Sequence, residues 1–171
     1  MKAASGPVGL ISNPRSGHNR DQFERIRQRI ERCSAIKHIV TDSPGEIPAA
    51  LQQLADHQVD ILAINGGDGT ASAILGQALE SRCFETPPVV ALLPGGTANM
   101  NAGDIGIQGS LARATERFCS WCEGDRDTSG RLARRSLMRL AMAPGEPPHF
   151  GMFLGGGAII QGTEYALSLI H

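Results

Sequence analysis

Apolar positions along the chain form two alternating patterns. Short continuous apolar runs predict buried strands at 8–12, 36–41, 59–65 and 89–93. Between and after these runs, apolar residues recur every three or four positions, as they do on one face of a helix. This spacing predicts helices with the following apolar faces or ranges: Phe23, Ile26, Ile30 and Cys33; Ile47, Ala50, Leu51 and Leu54; 71–80; and 111–122. Strands and helices therefore alternate along most of the chain.

This alternation predicts an α/β fold. Near-continuously apolar strands joined by helices indicate a doubly wound, mostly parallel sheet, because each crossover helix must pack back onto the sheet. In such folds the loops at the carboxyl ends of the strands carry function. Ser43 with Glu46 three residues later matches a capping box at the start of the second helix.

The pattern changes after the last of these helices. Residues 123–135 are polar and rich in arginine, so we place a domain boundary there, with domains at 1–130 and 131–171. In the second segment, 136–143 and 150–154 are predicted strands joined by a proline- and glycine-rich turn, and a short apolar helix is predicted towards His171. We interpret residues 131–171 as the beginning of a truncated, β-rich second domain.

Composition and charge mainly exclude classes of protein. A chain of 171 residues with 41 % hydrophobic content can bury the core of about one domain. The formal net charge of −1 lacks the basic field typical of nucleic-acid binders, so nucleic acid is not an expected partner. The sequence has neither a membrane-length apolar run nor a secretory signal pattern, which predicts a cytoplasmic protein.

Four scattered cysteines predict reduced thiols rather than a disulfide framework. Cys119 and Cys122 have C-x-x-C spacing, but they lie in a helical pattern and lack a second pair for a zinc site. We interpret them as helix-packing residues.

Glycine-bearing turns follow three of the four predicted strands. They are Asn-Pro-Arg-Ser-Gly at 13–17, Gly-Gly-Asp-Gly-Thr at 66–70 and Pro-Gly-Gly-Thr-Ala-Asn at 94–99. In a doubly wound sheet these turns lie along one edge and can converge on one ligand. Glycines permit close backbone approach, and N–H groups beside a helix N-terminus bind anions, so phosphate is the expected ligand. Ser16, Thr70 and Thr97 add hydroxyl donors, and Asp68 offers an oxygen ligand for a divalent cation.

The standard nucleotide and hydrolase fingerprints are absent from the sequence. There is no G-x-x-x-x-G-K-[ST], and Ser72 stands where a dinucleotide-binding motif would place its third glycine. There is also no G-x-S-x-G. A single glycine turn after a strand is compatible with an ordinary turn, whereas three together favour a shared phosphate site.

These three motifs, in this order and at these separations, resemble the nucleotide-binding domain of the diacylglycerol kinase catalytic-domain family. That family includes bacterial lipid kinases and sphingosine kinases and is distantly similar to NAD kinases. The resemblance runs from about Val8 to Gly106 and continues weakly into 150–162. It implies an ATP-dependent lipid kinase that transfers the γ-phosphoryl group to a lipid hydroxyl, with Mg²⁺ as the metal and Asp68 as the metal-binding and catalytic residue. The residues implied to contact ATP are Asn13, Arg15, Ser16, Gly17, Thr41, Gly66, Gly67, Asp68, Gly69, Thr70, Gly96, Thr97 and Asn99.

Two positions depart from the family pattern. Ala73 stands where the family commonly has a glutamate, and Met100 stands where it usually has an aspartate after Asn99. Each change loses a carboxylate. In the family, a complete second domain supplies the acceptor cleft and further metal ligands. Because we interpret that domain as truncated here, we expect this chain to bind ATP without efficient turnover by itself. Two alternatives stay open, namely a nucleotide-binding module without kinase turnover and an NAD kinase-like enzyme.

Arginines are frequent between Arg15 and Arg32 and alternate with acidic residues. A basic helix face would suit peripheral contact with anionic lipids at the inner face of the membrane. A solvated helix face with paired charges explains the same pattern. The sequence leaves the oligomeric state open, a homodimer included.

Overall fold

The computed structural model of the chain describes residues 6–124 and 132–153, which divide into two units between Arg134 and Arg135. In the first unit the strands and the four longer helices follow one another as the apolar pattern predicts. In chain order they are β1 Val8–Ser12, α1 Phe23–Glu31, β2 Ile36–Val40, α2 Ile47–Asp56, β3 Ile61–Gly66, α3 Asp68–Ser81, β4 Val89–Pro94, α4 Met100–Asp104 and α5 Leu111–Glu123. Short 3₁₀ turns at Gly17–Asn19 and Pro44–Glu46 precede α1 and α2.

The four strands form one parallel sheet in the order β2-β1-β3-β4. Ser12 at the end of β1 lies opposite Val40 on one side and Asn65 on the other, and Asn65 lies opposite Leu93. The carboxyl ends of β1, β3 and β4 are therefore neighbours. The loops that follow these strands must start from the same edge of the sheet.

Helices cover both faces of this sheet. One layer packs α1 and α5 against the sheet, and its core includes Leu10, Ile26, Ile30, Ile61, Leu93 and Leu111. The other layer packs α2, α3 and α4, and its core includes Ile11, Leu51, Leu54, Ile64, Ile74 and Ala102. Leu10 and Ile11 belong to different layers because successive strand residues point to opposite faces. The predicted doubly wound α/β fold is confirmed.

Two arginines of α1 pair with acidic residues, one on its own helix and one on α5. Arg29 donates to Glu116 at 2.8 Å and to Glu123 at 3.1 Å, and so connects the two helices. Hydrogen bonds from Arg29 lower the pKa of both carboxyls below the ordinary value for glutamate. Arg27 pairs with Glu24 and Glu31 three and four residues away, the arrangement expected of a solvated helix face.

The C-x-x-C cysteines lie in α5 and belong to the core. Cys119 and Cys122 are 0 % and 4 % exposed and pack in the layer between the sheet and α5. Burial raises the pKa of the Cys119 thiol to about 12, so this side chain is a protonated thiol at neutral pH.

The second unit contains a two-stranded antiparallel pair. β5 Met138–Leu140 pairs with β6 His149–Gly151, and Arg139 lies opposite Phe150. Both strands overlap the predicted strands but are shorter. The helix predicted towards His171 lies outside the described residues. Within 6–124 and 132–153, no helix combines the length and apolar character that crossing a bilayer requires.

Tight packing of α2 on β1 generates the first testable prediction. A Cβ at Gly9 would lie 2.7 Å from each of the two terminal methyl carbons of Leu54, a fully buried side chain. Gly9→Ala should therefore lower the free energy of unfolding by about 1–3 kcal/mol through overpacking. Gly45→Ala is the matched control, because a Cβ there meets only Ser43 Oγ at 3.9 Å. Equal urea midpoints for the two variants would contradict this packing.

His38 on β2 generates a second prediction. Its Nε2 lies 2.9 Å from Ser12 Oγ on the neighbouring strand. Burial lowers the pKa of His38, with a smaller opposing effect from Glu31 and a smaller reinforcing effect from Arg27. The folded chain therefore favours the neutral imidazole.

We expect the free energy of unfolding to fall as pH drops through about 6.5, the pKa of an unperturbed histidine. The unfolded chain then binds a proton that the folded chain resists, and the loss ends below the folded pKa of His38. Denaturation between about pH 7.5 and about pH 5 should show this loss, and His38→Gln should remove it. The ion-paired glutamates have lowered pKa values, so their stabilisation is lost only below 4.5, the ordinary pKa of glutamate. An unchanged pH dependence in His38→Gln would refute the assignment.

Candidate functional site

The turns at 13–17 and 66–70, here called the first and second glycine turns, are joined by side-chain hydrogen bonds. Asn13 Nδ2 donates to Thr70 Oγ1 at 2.9 Å. Ser16 Oγ lies 3.3 Å from Thr70 Oγ1 and accepts from the Gly67 N–H at 3.3 Å. The hydroxyls of Ser16 and Thr70 are thus brought to the N-terminus of α3.

The turn at 94–99, the third glycine turn, packs directly on the other two. A Cβ at Gly96 would overlap the Gly67 Cα, and a Cβ at Gly17 would overlap Thr97 Oγ1. Only glycine permits approaches this close. All three turns therefore meet in one place, and their backbones touch.

Asn99 shapes the third turn from within. Its backbone has a φ of 52°, in the left-handed region that Asn tolerates better than most residues. Its Oδ1 accepts from the Gly96 N–H at 2.8 Å, and its Nδ2 donates to the Gly96 carbonyl at 2.7 Å. The Asn99 amide thus closes its own turn.

Asp68 connects the second glycine turn to α4. Its Oδ2 accepts from the Met100 N–H at 3.0 Å and its Oδ1 from the Asn101 N–H at 2.9 Å. The carboxylate thus caps a short helix that is distant in sequence, while each oxygen keeps further acceptor capacity. Within the described ranges, no three His, Cys, Asp or Glu side chains converge as metal ligands.

The N-terminus of α3 lies where the three turns meet. Its first N–H groups have no acceptor within the helix, and the N-cap residue, Gly67, has no side chain to cap them. Gly69 lies in this first turn, is exposed, and would find nothing within 4 Å of an added Cβ. Thr97 and Arg15 are exposed beside the three turns, and Thr97 touches Gly17. N–H groups, hydroxyls and a guanidinium are the groups that proteins use to bind phosphate.

Thr41 is buried, whereas Ala73 and Met100, the two positions that depart from the family pattern, are exposed. Thr41 is buried at the end of β2, and its N–H donates to the Ser12 carbonyl at 2.9 Å. It therefore lies beside the first turn rather than within the group of three. Ala73 is exposed on α3, and Met100 at the start of α4 is 54 % exposed.

Sequence reasoning missed the buried amides of Asn19 and Asn65, which lie beneath the turns. Both side chains are 0 % exposed. Asn19 Nδ2 donates to the Asn13 carbonyl at 2.7 Å and to Asn65 Oδ1 at 3.1 Å, while Asn65 Nδ2 donates to Ser12 Oγ at 3.1 Å. A polar residue ending the apolar run of β3 was the signal that could have identified Asn65.

Known proteins of similar sequence include a family of kinases and two bacterial relatives. The diacylglycerol kinase catalytic domain, as a family model, matches residues 7–127. A probable lipid kinase YegS-like protein of Stenotrophomonas maltophilia is 31 % identical over 99 residues, which are 57 % of this chain and 32 % of that protein. A protein of the same name from an Enterobacter species is 31 % identical over 107 residues, which are 63 % of this chain and 36 % of that protein. The chain thus spans about a third of the length of these relatives.

Solved structures of similar fold include two from Bacillus anthracis. One, described as a diacylglycerol kinase, has a TM-score of 0.54 and 24 % identity over 67 % of this chain and 40 % of that chain. A second, described as a putative diacylglycerol kinase, has a TM-score of 0.55 and 24 % identity over 70 % of this chain and 42 % of that chain. These likenesses concern the fold, whereas the family model covers most of the sequence. The chain belongs to the diacylglycerol kinase catalytic domain family, a family of lipid kinases.

Proposed function

We propose that the three glycine turns bind the phosphates of ATP and that the chain is the nucleotide-binding part of an ATP-dependent lipid kinase. The observation that carries this proposal is the meeting of the three turns at the N-terminus of α3, whose N-cap residue is a glycine. The acceptor would be a lipid hydroxyl, in keeping with the names of the relatives.

The residues at the α3 N-terminus fit a nucleotide phosphate. Gly17 and Gly96 have packing reasons to be glycine, but Gly69 has neither a close neighbour nor a positive φ. The open space at Gly69 leaves room for a phosphate to reach the helix N–H groups. The Ser16 and Thr70 hydroxyls carry two protons and can use only one between them, so one remains to donate to a phosphate oxygen.

Asp68 fits Mg²⁺ as a single protein ligand. Each of its oxygens accepts one backbone N–H and keeps further acceptor capacity. Mg²⁺ is often held by one or two carboxylates together with substrate phosphates and water, so one carboxylate is sufficient here. When bound, the ion supplies charge neutralisation at the phosphates.

The chain's own contribution to phosphoryl transfer is binding and orientation. The α3 N–H groups and the hydroxyls of Ser16, Thr70 and Thr97 hold the phosphates, and the exposed Arg15 guanidinium adds positive charge at the rim. The backbone contacts between turns fix these donors before the ligand arrives. Preorganised donors of this kind account for much of phosphoryl-transfer catalysis.

A nucleotide-binding module without turnover is the second candidate. Met100 and Ala73 place exposed apolar groups where the family pattern has carboxylates. Both candidates require ATP binding by this chain. Phosphate transfer to a lipid panel by the full-length parent protein separates them, because only the kinase yields phosphorylated lipid.

Substitution of Gly69 is the sharper test of the phosphate site. Gly69→Ala should leave the unfolding free energy unchanged or raise it by about 0.4–1 kcal/mol, because the methyl group enters open space. The same methyl should lower ATP affinity at least about tenfold by calorimetric titration, since it blocks the helix N–H groups. Gly103→Ala in α4 is the matched control, with equally open surroundings. If Gly69→Ala binds ATP as tightly as the control does, the phosphates do not lie at α3.

Substitution of Asp68 tests the metal assignment. Titration of ATP with and without Mg²⁺ should show a strengthening by Mg²⁺ in the parent chain, and Asp68→Ala should lose most of it. Asp56→Ala, which removes an exposed carboxylate on α2, should keep the Mg²⁺ effect. Undetectable ATP binding by the parent chain would overturn the proposed function. An undiminished Mg²⁺ effect in Asp68→Ala would restrict Asp68 to capping α4.

A further inference from the structure

We propose that the buried amides of Asn19 and Asn65 are positioning residues that hold the first and third glycine turns at the separation a nucleotide requires. This inference rests on the proposed ATP site. Neither side chain reaches the surface, so both act through the turns and not on the ligand.

The two amides connect the end of β3 to the backbone of the first turn. Asn19 Nδ2 bridges the Asn13 carbonyl at 2.7 Å and Asn65 Oδ1 at 3.1 Å. The Asn13 N–H also donates to the Asn65 carbonyl at 2.9 Å. Asn13 is therefore held on both sides of its peptide backbone, and its side chain is free to hold Thr70 at 2.9 Å.

The third turn rests on the same pair of amides. A Cβ at Gly95 would lie 2.5 Å from Asn65 Oδ1 and 2.9 Å from Asn19 Nδ2. The Gly95 backbone is thus in direct contact with both amides, and Gly96 beside it contacts Gly67. A shift of either amide would change the distance between the first and third turns.

Stability alone does not account for these two residues. Asn19 Oδ1 is buried and has no hydrogen-bond partner among the described residues. A buried polar atom without a partner is unfavourable, and apolar side chains of similar shape are often neutral or better when a whole bonded pair is replaced. Retaining the amides is therefore better explained by the geometry that they impose on the turns.

Leucine substitutions separate positioning from stability. Asn19→Leu, Asn65→Leu and the double variant keep side-chain volume while they remove the hydrogen bonds. Thr115→Val is the matched control, since Thr115 is 0 % exposed, its Oγ1 has no hydrogen-bond partner within the described ranges, and it belongs to α5 rather than to a turn. Each 171-residue chain is titrated with ATP and Mg²⁺ by calorimetry, well below the melting temperature measured for that variant.

We expect each single leucine variant to bind ATP at least about tenfold more weakly, with the control unchanged. The double variant should lose little more ATP affinity than either single variant, because each substitution alone already breaks the side-chain connection between β3 and the first turn. Wild-type affinity in folded leucine variants would overturn the positioning role and leave the ATP site standing. Failure of the parent chain to bind ATP would overturn both.

Asn19→Ala is the milder variant if the leucine side chains prevent folding, because it leaves β3 intact. It is judged by the same loss of affinity. A chain that cannot fold without either amide would also overturn the inference, since the amides would then be structural.

Discussion

Parallel pairing of β1, β3 and β4 is the constraint on which the rest of the structure depends. It sets Ser12 beside Asn65 and Asn65 beside Leu93, so each of the three loops that follow begins one strand spacing from the next. Loops that leave a sheet so close together must either diverge or pack on one another. Here they pack, and the backbone of the second turn touches that of the third at Gly67 and Gly96. The surroundings of the α3 N-terminus follow from this contact, because the turns pack against it.

The glycines of the three turns serve two different purposes. Gly17, Gly67 and Gly96 are needed because a neighbouring turn occupies the space of a side chain. Gly69 has open space on its Cα and therefore stands out as the glycine of the second turn that packing leaves unexplained. The sequence motif presents these glycines as equivalent, whereas their surroundings divide them into residues that build the site and one that keeps it accessible.

Polar side chains in and beneath the turns serve mainly to hold the turns in place. Hydrogen bonds from the side chains of Asn13 and Asn99 hold the turns together. The Asp68 carboxylate accepts from two N–H groups at the start of α4. Asn19 and Asn65 support the turns from below. A ligand would therefore meet hydroxyls and N–H groups that are already fixed by other bonds. Donors that are fixed in advance favour binding, since little conformational freedom remains to be lost.

Local pattern was sufficient to predict the strands, the four long helices and the three turns. Apolar periodicity reports burial directly, and parallel topology then places the turns on one edge. It was not sufficient for α4, whose start depends on a carboxylate distant in sequence, Asp68. At the start of α2, Glu46 reaches back to the Asp42 N–H and the Ser43 hydroxyl, and the helix begins only at Ile47. The sequence by itself thus determined the α/β fold, its family and the edge of the sheet where the three turns meet. Only the tertiary structure decided which glycine stays open and which amides hold the turns, because those roles depend on contacts between segments far apart in the chain.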